Sequence, residues 1–357
     1  MNATCLRTAP PSAVEFPTLS ARTVAYVWIA FVAAANLVYL ASDCPLELAP
    51  DEAHYWHWSR QLDWSYYSKG PLVAWLIRGS CELFGTHSPV AVRLPAVVCG
   101  ALLNLGIFAL GTRFVGERIA LAIVACGATV PAIAASGLLM TIDSPLLACW
   151  VWASVWTYDA LFRWLNEPRT QVSGLSPSRI ASLSGNTFRN HPGSGPLTCV
   201  RGSQENVEPG SHPEQSLALW LAAGAAVAVG VLAKYTMLAF PVCVAGFLLA
   251  SPRYRHRLTS RPFLGFLAVS GLGLVPIAIW NAGNDWVGVR HLVALSGGTK
   301  ATFDPLGLPR FVAGQVGVLL GYWFCVWVCA VVGLSRNRDP WIAFLWWLSV
   351  RVWVAMA

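Results

Sequence analysis

The amino-acid sequence predicts an all-α protein: a polytopic bundle of about nine transmembrane helices, with interfacial helices in the first outer loop. Three observations predict this fold class. Only 11% of the 357 residues are charged and 56% are hydrophobic, whereas soluble domains carry about 25% charged residues. Long apolar segments recur along the chain, and basic residues collect at their ends. Lipid is therefore the expected solvent for most of the surface.

The apolar segments are long enough to cross a bilayer, because about 20 apolar residues span its hydrocarbon core as a helix. They do not alternate polar and apolar residues, which argues against a transmembrane barrel. The segments with one charge or none are residues 23–42, 94–112, 119–142, 216–233, 235–252, 263–284 and 311–335. Residues 144–164 form a further span, and residues 341–350 begin another that Arg351 interrupts.

The placement of charge predicts the topology. The net charge of +7 would suit a nucleic-acid partner, but the basic residues cluster at helix ends, so membrane lipid is expected instead. If the amino terminus is inside and each segment crosses once, all the clusters fall on the cytoplasmic side. They are Arg113 and Arg118; Arg163 and Arg169; Arg253, Arg255, Arg257 and Arg261; Arg336 and Arg338. Outer loops are then expected near 43–92, 136–143 and 285–308.

Composition divides the chain into four parts: a cytoplasmic tail (1–21), spans 1–4 with the outer loop 43–92 (22–165), a disordered cytoplasmic linker (166–215) and spans 5–9 (216–357). The linker is rich in Ser, Gly, Pro and Asn and has too few large apolar residues to fold alone. The chain stops inside its last apolar run, which predicts a truncated second membrane half.

The first outer loop concentrates reactive side chains. A short helix is expected from Asp51 to Gln61, because Pro50 precedes it, Asp51 can cap it and Glu52 suits its first turn. A second helix is expected over 71–84. Paired acids near lipid are costly and often functional, although a helix cap and solvated loop charges explain them as well. The reactive groups are Asp51, Glu52, His54, His57, Arg60, Asp63 and Lys69.

Five short motifs follow one another in an order typical of a known superfamily. They are PDEAHYWHWSRQLDWSYYSKGPLVAWLI, RLPAVVCGALLNLGIFALGTRFVGERIAL, TIDSPLLACWVW, LAKYTMLAFPV and IWNAGNDWVGVR. On these motifs the chain resembles the GT-C superfamily of membrane glycosyltransferases over residues 22–335, apart from the linker. It is most similar to bacterial polyprenyl-phosphate-sugar enzymes grouped with aminoarabinose and lipopolysaccharide sugar transferases. It is more distantly similar to protein O-mannosyltransferases.

The resemblance implies a multi-pass protein of the bacterial inner membrane with an outward-facing active site. It would move a sugar from a polyprenyl-phosphate donor to a lipid, glycan or protein acceptor. The proposed catalytic base of that family is an acidic residue in a D-E context of the first outer loop. This base maps onto Asp51, with Glu52 beside it.

The chemistry of such a transfer needs few groups. Phosphate is already a good leaving group, so no general acid is required. One carboxylate must take a proton from the acceptor, and attack passes through an oxocarbenium-like state. Cations must hold the phosphate, a role that Lys69, Arg93 and Arg290 fit. Snorkelling of these side chains at the membrane interface would explain their positions equally well.

Three further residues mark the same predicted face. Tyr55 lies on the outer-loop helix and is a candidate substrate-binding residue. The resemblance places an Asp-x-Pro at Asp143, but the amino-terminal cap of span 4 also explains this aspartate. Lys234 interrupts an apolar stretch, so it lies either at the outer boundary between two short spans or against a polar cavity.

No cofactor follows firmly from the sequence, and a divalent metal stays open. His54 and His57 are three residues apart on one helix face, a spacing that can bind a metal. Relatives usually carry other residues there. They often have an acidic residue where this chain has Ser68, just before Lys69, which puts metal dependence in doubt.

Two alternatives to a transferase remain from the sequence. A transporter or flippase would place charges and broken helices near the midplane, often in repeated halves; here charges lie at helix ends and no repeat is visible. An inactive, truncated relative of the transferases is the other alternative, supported by Ser68 and by the abrupt end of the chain.

Overall fold

A computed structural model describes residues 19–42, 46–162, 213–295, 306–337 and 339–356. Throughout these ranges every regular element is helical, which confirms the all-α prediction. The helices are α1 (Ala21–Ala41), α2 (Pro50–Ser59), α3 (Leu72–Phe84), α4 (Pro89–Gly127), α5 (Pro131–Ser136), α6 (Asp143–Phe162), α7 (Pro213–Ala233), α8 (Ala239–Ala250), α9 (Arg261–Leu272), α10 (Leu274–Gly283), α11 (Val287–Leu295), α12 (Gly307–Leu334) and α13 (Pro340–Met356), with 3₁₀ turns at Tyr235–Leu238 and Arg255–Thr259.

Five helical segments are long and apolar enough to cross a membrane. They are Ala21–Ala41, Pro89–Gly127, Ser216–Ala233, Arg261–Gly283 and Gly307–Leu334, and shorter apolar helices cover Tyr235–Ala250 and Pro340–Val350. No residue of α12 is buried by the protein. Soluble proteins rarely expose so much apolar surface to water, so these helices must be covered by lipid. The chain is therefore an integral membrane protein.

Helix α4 is a hairpin of two membrane arms. As a straight rod its 39 residues would be about 58 Å long, nearly twice the hydrocarbon core of a bilayer. Gly116 breaks it with φ 80° and ψ 169°, a left-handed φ that glycine adopts at little cost. Gly111 then packs against Ala120 on the returning arm. The first arm matches the span expected at 94–112. The span expected at 119–142 is not one continuous helix, because the second arm ends at Gly127 and a separate helix begins at Pro131, whose ring cannot continue the helical hydrogen bonding.

The bundle packs around α6 and α7. Helix α6 lies against both α4 and α7, and α9 covers another side of α7. The core between them is rich in aromatic rings, including Trp220, Phe240, Phe247 and Phe266. At one end, Arg113 donates to the Asp159 carboxylate. Its Nε lies 2.6 Å from Oδ1, and its Nη2 lies 2.6 Å from Oδ2. Charged groups thus tie α4 to α6 where the sequence predicts the cytoplasmic boundary.

The first outer loop folds as a small helical cap, with α2 and α3 close to the two helices expected there. Tyr55 of α2 packs with Val73 and Ile77 of α3 and with Val92 and Met140 from the bundle. The cap is therefore anchored on the rest of the protein. The expected tail and linker lie almost entirely outside the described residues, so their disorder stays a prediction.

Candidate active site

The adjacent acids of α2 have different environments, and Glu52 is fully buried. Its Oε1 accepts hydrogen bonds from Arg93 Nε and from the Met140 amide, each at 2.9 Å. Its Oε2 accepts from Arg93 Nη2 at 2.7 Å and from the Ala49 amide at 3.0 Å. Four donors therefore surround this carboxylate, which also caps α2 in place of Asp51. Glu52 is placed to hold α2 on the bundle rather than to accept a substrate proton.

Arg93, a predicted phosphate-binding residue, is instead buried inside the protein. Its guanidinium is buried with Glu52, and it also donates to the carbonyls of Leu46 at 3.0 Å and Glu47 at 2.8 Å. A buried charge pair with saturated hydrogen bonds persists because breaking it would strand one charge in a dry site. Arg93 therefore connects α4 to the loop segment that precedes α2.

Asp51 is exposed one residue earlier, in the first turn of α2. Tyr55 follows one turn later and is buried. Burial, together with the negative charges of Asp51 and Asp143, raises the pKa of Tyr55 to about 12. Both predicted aspartates therefore act electrostatically on the same phenol, although they are 92 positions apart in sequence.

Asp143 brings a cation into the same site. Its Oδ1 lies 2.8 Å from Lys234 Nζ, and the two side chains are 52% and 31% exposed. Asp143 begins α6, and Lys234 follows α7 with an extended backbone. Lys234 thus lies at the boundary between two short spans, one of the two positions that the sequence allowed. The signal that marks it is a single cation within an apolar stretch.

The loop between α2 and α3 closes over this region. Gly70 meets the carbonyl of Leu232 so closely that a Cβ there would lie 2.1 Å from its oxygen. The Tyr66 amide donates to the Lys69 carbonyl at 3.1 Å, and the Tyr66 ring stacks on Trp58 with 4.4 Å between centroids. The half-buried Lys69 is therefore held beside the end of α7 that carries Lys234.

Helices α10 and α11 complete the outer face. Trp280 Nε1 donates to Asp63 Oδ2 at 2.6 Å, and the His291 ring lies 4.4 Å from that of Tyr67. The exposed Arg290 precedes His291 on α11. The first, third, fourth and fifth sequence motifs thus meet around the first outer loop. The Glu52–Arg93 ion pair connects the second motif to them.

Comparisons with known proteins agree with this architecture. The family model for dolichyl-phosphate-mannose-protein mannosyltransferases matches residues 68–166 and 212–280. A lipid A galacturonosyltransferase from Rhizobium johnstonii is 27% identical over 303 residues, covering 85% of this chain and 53% of the relative. In sequence, the chain is thus similar to membrane glycosyltransferases that act on proteins or on lipid A. It spans about half the length of the relative that it matches.

Two solved structures are similar to this chain in fold. ArnT from Cupriavidus metallidurans in the apo state superposes with a TM-score of 0.57 at 15% identity, over 94% of this chain and 55% of ArnT. The Pmt1–Pmt2 protein O-mannosyltransferase complex of S. cerevisiae, bound to the sugar donor, gives a TM-score of 0.50 at 17% identity, over 74% of this chain and 34% of that one. These similarities concern the fold alone.

The described residues do not gather the side chains of a metal site. They contain no group of three or more His, Cys, Asp or Glu side chains that could hold an ion. His54 and His57 are exposed, and the His54 ring lies 4.3 Å from that of Trp58. Ser68 offers only a hydroxyl. No catalytic step is therefore derived through a metal.

Proposed function

We propose that the chain is a glycosyltransferase that moves a sugar from a polyprenyl-phosphate carrier to an acceptor on the non-cytoplasmic side of a bacterial inner membrane. The observation that carries this proposal is the division between Asp51 and Glu52. Glu52 is saturated by four donors, whereas Asp51 is exposed and, like Asp143, acts electrostatically on the buried Tyr55. One carboxylate positions the helix, and its neighbour is left to act on a substrate.

Asp51 acts as the general base in this proposal. Its carboxylate takes the proton of an acceptor hydroxyl, and the acceptor oxygen bonds to the anomeric carbon of the donor sugar. The bond from that carbon to the phosphate oxygen breaks, and polyprenyl phosphate leaves with the electron pair. Tyr55 is protonated at neutral pH, and the rise of its pKa to about 12 extends this to alkaline pH, so its hydroxyl is available as a hydrogen-bond donor.

Lys234, Lys69 and Arg290 are the cations proposed to hold the donor phosphate. Lys234 is fixed by its ion pair with Asp143, so less side-chain freedom is lost when a phosphate binds. Lys69 lies on the loop seated against α7, and Arg290 is exposed on α11. Arg93 is assigned a positioning role, because Glu52 and two carbonyls occupy its donors.

A lipid acceptor is the first to test, because the curated relative is named a lipid A galacturonosyltransferase; glycan and protein acceptors follow. That the matched proteins are named as transferases supports this function over transport. The test incubates the purified chain in lipid nanodiscs with a panel of radiolabelled polyprenyl-phosphate sugars and lipid A. Transfer of label to an acceptor is expected. A folded chain that transfers no sugar in the panel would favour the inactive-relative alternative.

A further inference from the structure

The turn between α10 and α11 has a strained backbone. Asp285 and Trp286 are consecutive residues with left-handed φ angles of 51° and 56°. This region crowds the Cβ of an L residue against its own backbone, so side chains as large as tryptophan rarely adopt it. In the described ranges, Leu320 is the one other residue besides glycine with a positive φ.

Buried contacts hold the turn in this conformation. Asn281 is 2% exposed; its Nδ2 donates to the Ile277 carbonyl at 2.9 Å and its Oδ1 accepts from the Gly288 amide at 3.1 Å. The Trp286 amide donates to the Asn281 carbonyl at 2.8 Å. A Cβ at position 288 would lie 2.9 Å from Asn281 Oδ1, so glycine at this position leaves room for the buried amide. A strained backbone conformation that is held by surrounding contacts is typical of functional sites.

Packing of the Trp286 ring itself does not explain this backbone conformation, because the residue is 50% exposed. An interfacial tryptophan would need no left-handed backbone, since such anchoring works from ordinary helices and loops. The turn instead lies beside the loop that follows α2. Gly288 approaches the Tyr67 carbonyl, and Trp280 binds Asp63 across the same boundary.

We propose that Trp286 is a sugar-stacking residue of this site, an inference that rests on the proposed transferase function. Its indole would lie against the apolar C–H face of a pyranose ring, and its N–H tip would serve the hydroxyl rim. A flat aromatic ring offers a large contact area with few rotatable bonds. Because the backbone of the turn is already rigid, little further conformational entropy is lost when the ligand binds. The sugar is that of the donor or of the lipid A acceptor.

The test measures binding without turnover, in an Asp51→Asn background. The ligands are a polyprenyl-phosphate sugar, the same polyprenyl phosphate without sugar, and lipid A. Trp286→Gly should weaken binding of one sugar-bearing ligand about tenfold, as expected for a lost aromatic contact, and leave sugar-free polyprenyl phosphate unchanged. The ligand that loses affinity shows whether donor or acceptor stacks on the ring.

Asp285→Gly is the matched control, because it relieves strain at the adjacent residue and keeps the ring. It should leave all three affinities within about twofold, while both glycine variants keep or raise the melting temperature. Trp286→Asn supplies a second variant, since asparagine also tolerates a left-handed φ. Unchanged affinity for both sugar-bearing ligands, or an equal loss for the sugar-free phosphate, would overturn the proposal. Because these are binding measurements, absence of transfer by the wild-type chain bears on the proposed function separately.

Discussion

At the scale of single residues, the two adjacent acids of α2 have roles that their order in the sequence does not reveal. Both precede an aromatic-rich helix, and both look suited to catalysis. The structure separates them through Arg93, which lies 41 positions from Glu52 in the chain. Sequence patterns cannot predict such a long-range pair, because either acid could have met a buried cation.

Glu52→Gln is expected to destabilise the fold. The change leaves the Arg93 charge buried without its partner, and breaking a buried ion pair in this way costs about 3–5 kcal/mol. A lower melting temperature and a lower yield of monodisperse protein in detergent should follow. Asp51→Asn is the matched control, because its side chain is exposed and its stability should stay close to wild type. Equal stabilities of the two variants would contradict the positioning role of Glu52.

Lys234→Gln is expected to weaken donor binding. A lost charge-assisted hydrogen bond costs about 1.5–3 kcal/mol, or roughly 10- to 150-fold in affinity. Affinity for polyprenyl phosphate should fall for this variant, and similarly for Lys69→Gln and Arg290→Gln. Arg60→Gln serves as the control, because Arg60 is an exposed loop cation whose guanidinium lies over Trp56. If Lys234→Gln bound the donor as tightly as the control, its phosphate role would be refuted.

At the scale of elements, much of the architecture follows from the sequence. Long apolar runs predict the membrane helices, and the basic residues near Gly116 predict the reversal within α4. The lone Lys234 marks the break between α7 and the following 3₁₀ turn. The left-handed turn at Trp286 was not predicted, because its conformation depends on the buried Asn281 amide. The packing of the first outer loop against α7 was not predicted either, because it depends on contacts between segments that are distant in sequence.

Gly70→Ala should displace the loop that carries Lys69. The new Cβ would lie 2.1 Å from the Leu232 carbonyl oxygen, and a backbone atom of a packed helix cannot easily move away. Donor affinity and transfer are expected to fall. Gly79→Ala is the matched control, since nothing lies within 4 Å of a Cβ there and alanine is the better helix former. Transfer by Gly70→Ala at the rate of this control would show that the close contact is unimportant.

At the scale of the whole molecule, the asymmetry of basic residues predicts which face is outside. The site described above should face the non-cytoplasmic side, and residues 166–215 should lie in the cytoplasm. Single cysteines engineered at position 62 and within 166–215, in a background lacking other reactive thiols, can be labelled with an impermeant reagent. Labelling of intact cells is expected at position 62 alone. Labelling of the 166–215 segment in intact cells would show that the predicted orientation in the membrane is wrong.

The central claim is that Asp51 is the base in a sugar transfer. Asp51→Asn keeps the size of an exposed side chain and removes its ability to take a proton, so folding and donor binding should be preserved. The deciding measurement is the transfer rate of purified, folded Asp51→Asn with a cognate donor and acceptor. Loss of general-base catalysis predicts a rate lower by about 10²–10⁴-fold. A rate near that of the wild-type protein would remove Asp51 from the mechanism and contradict the account.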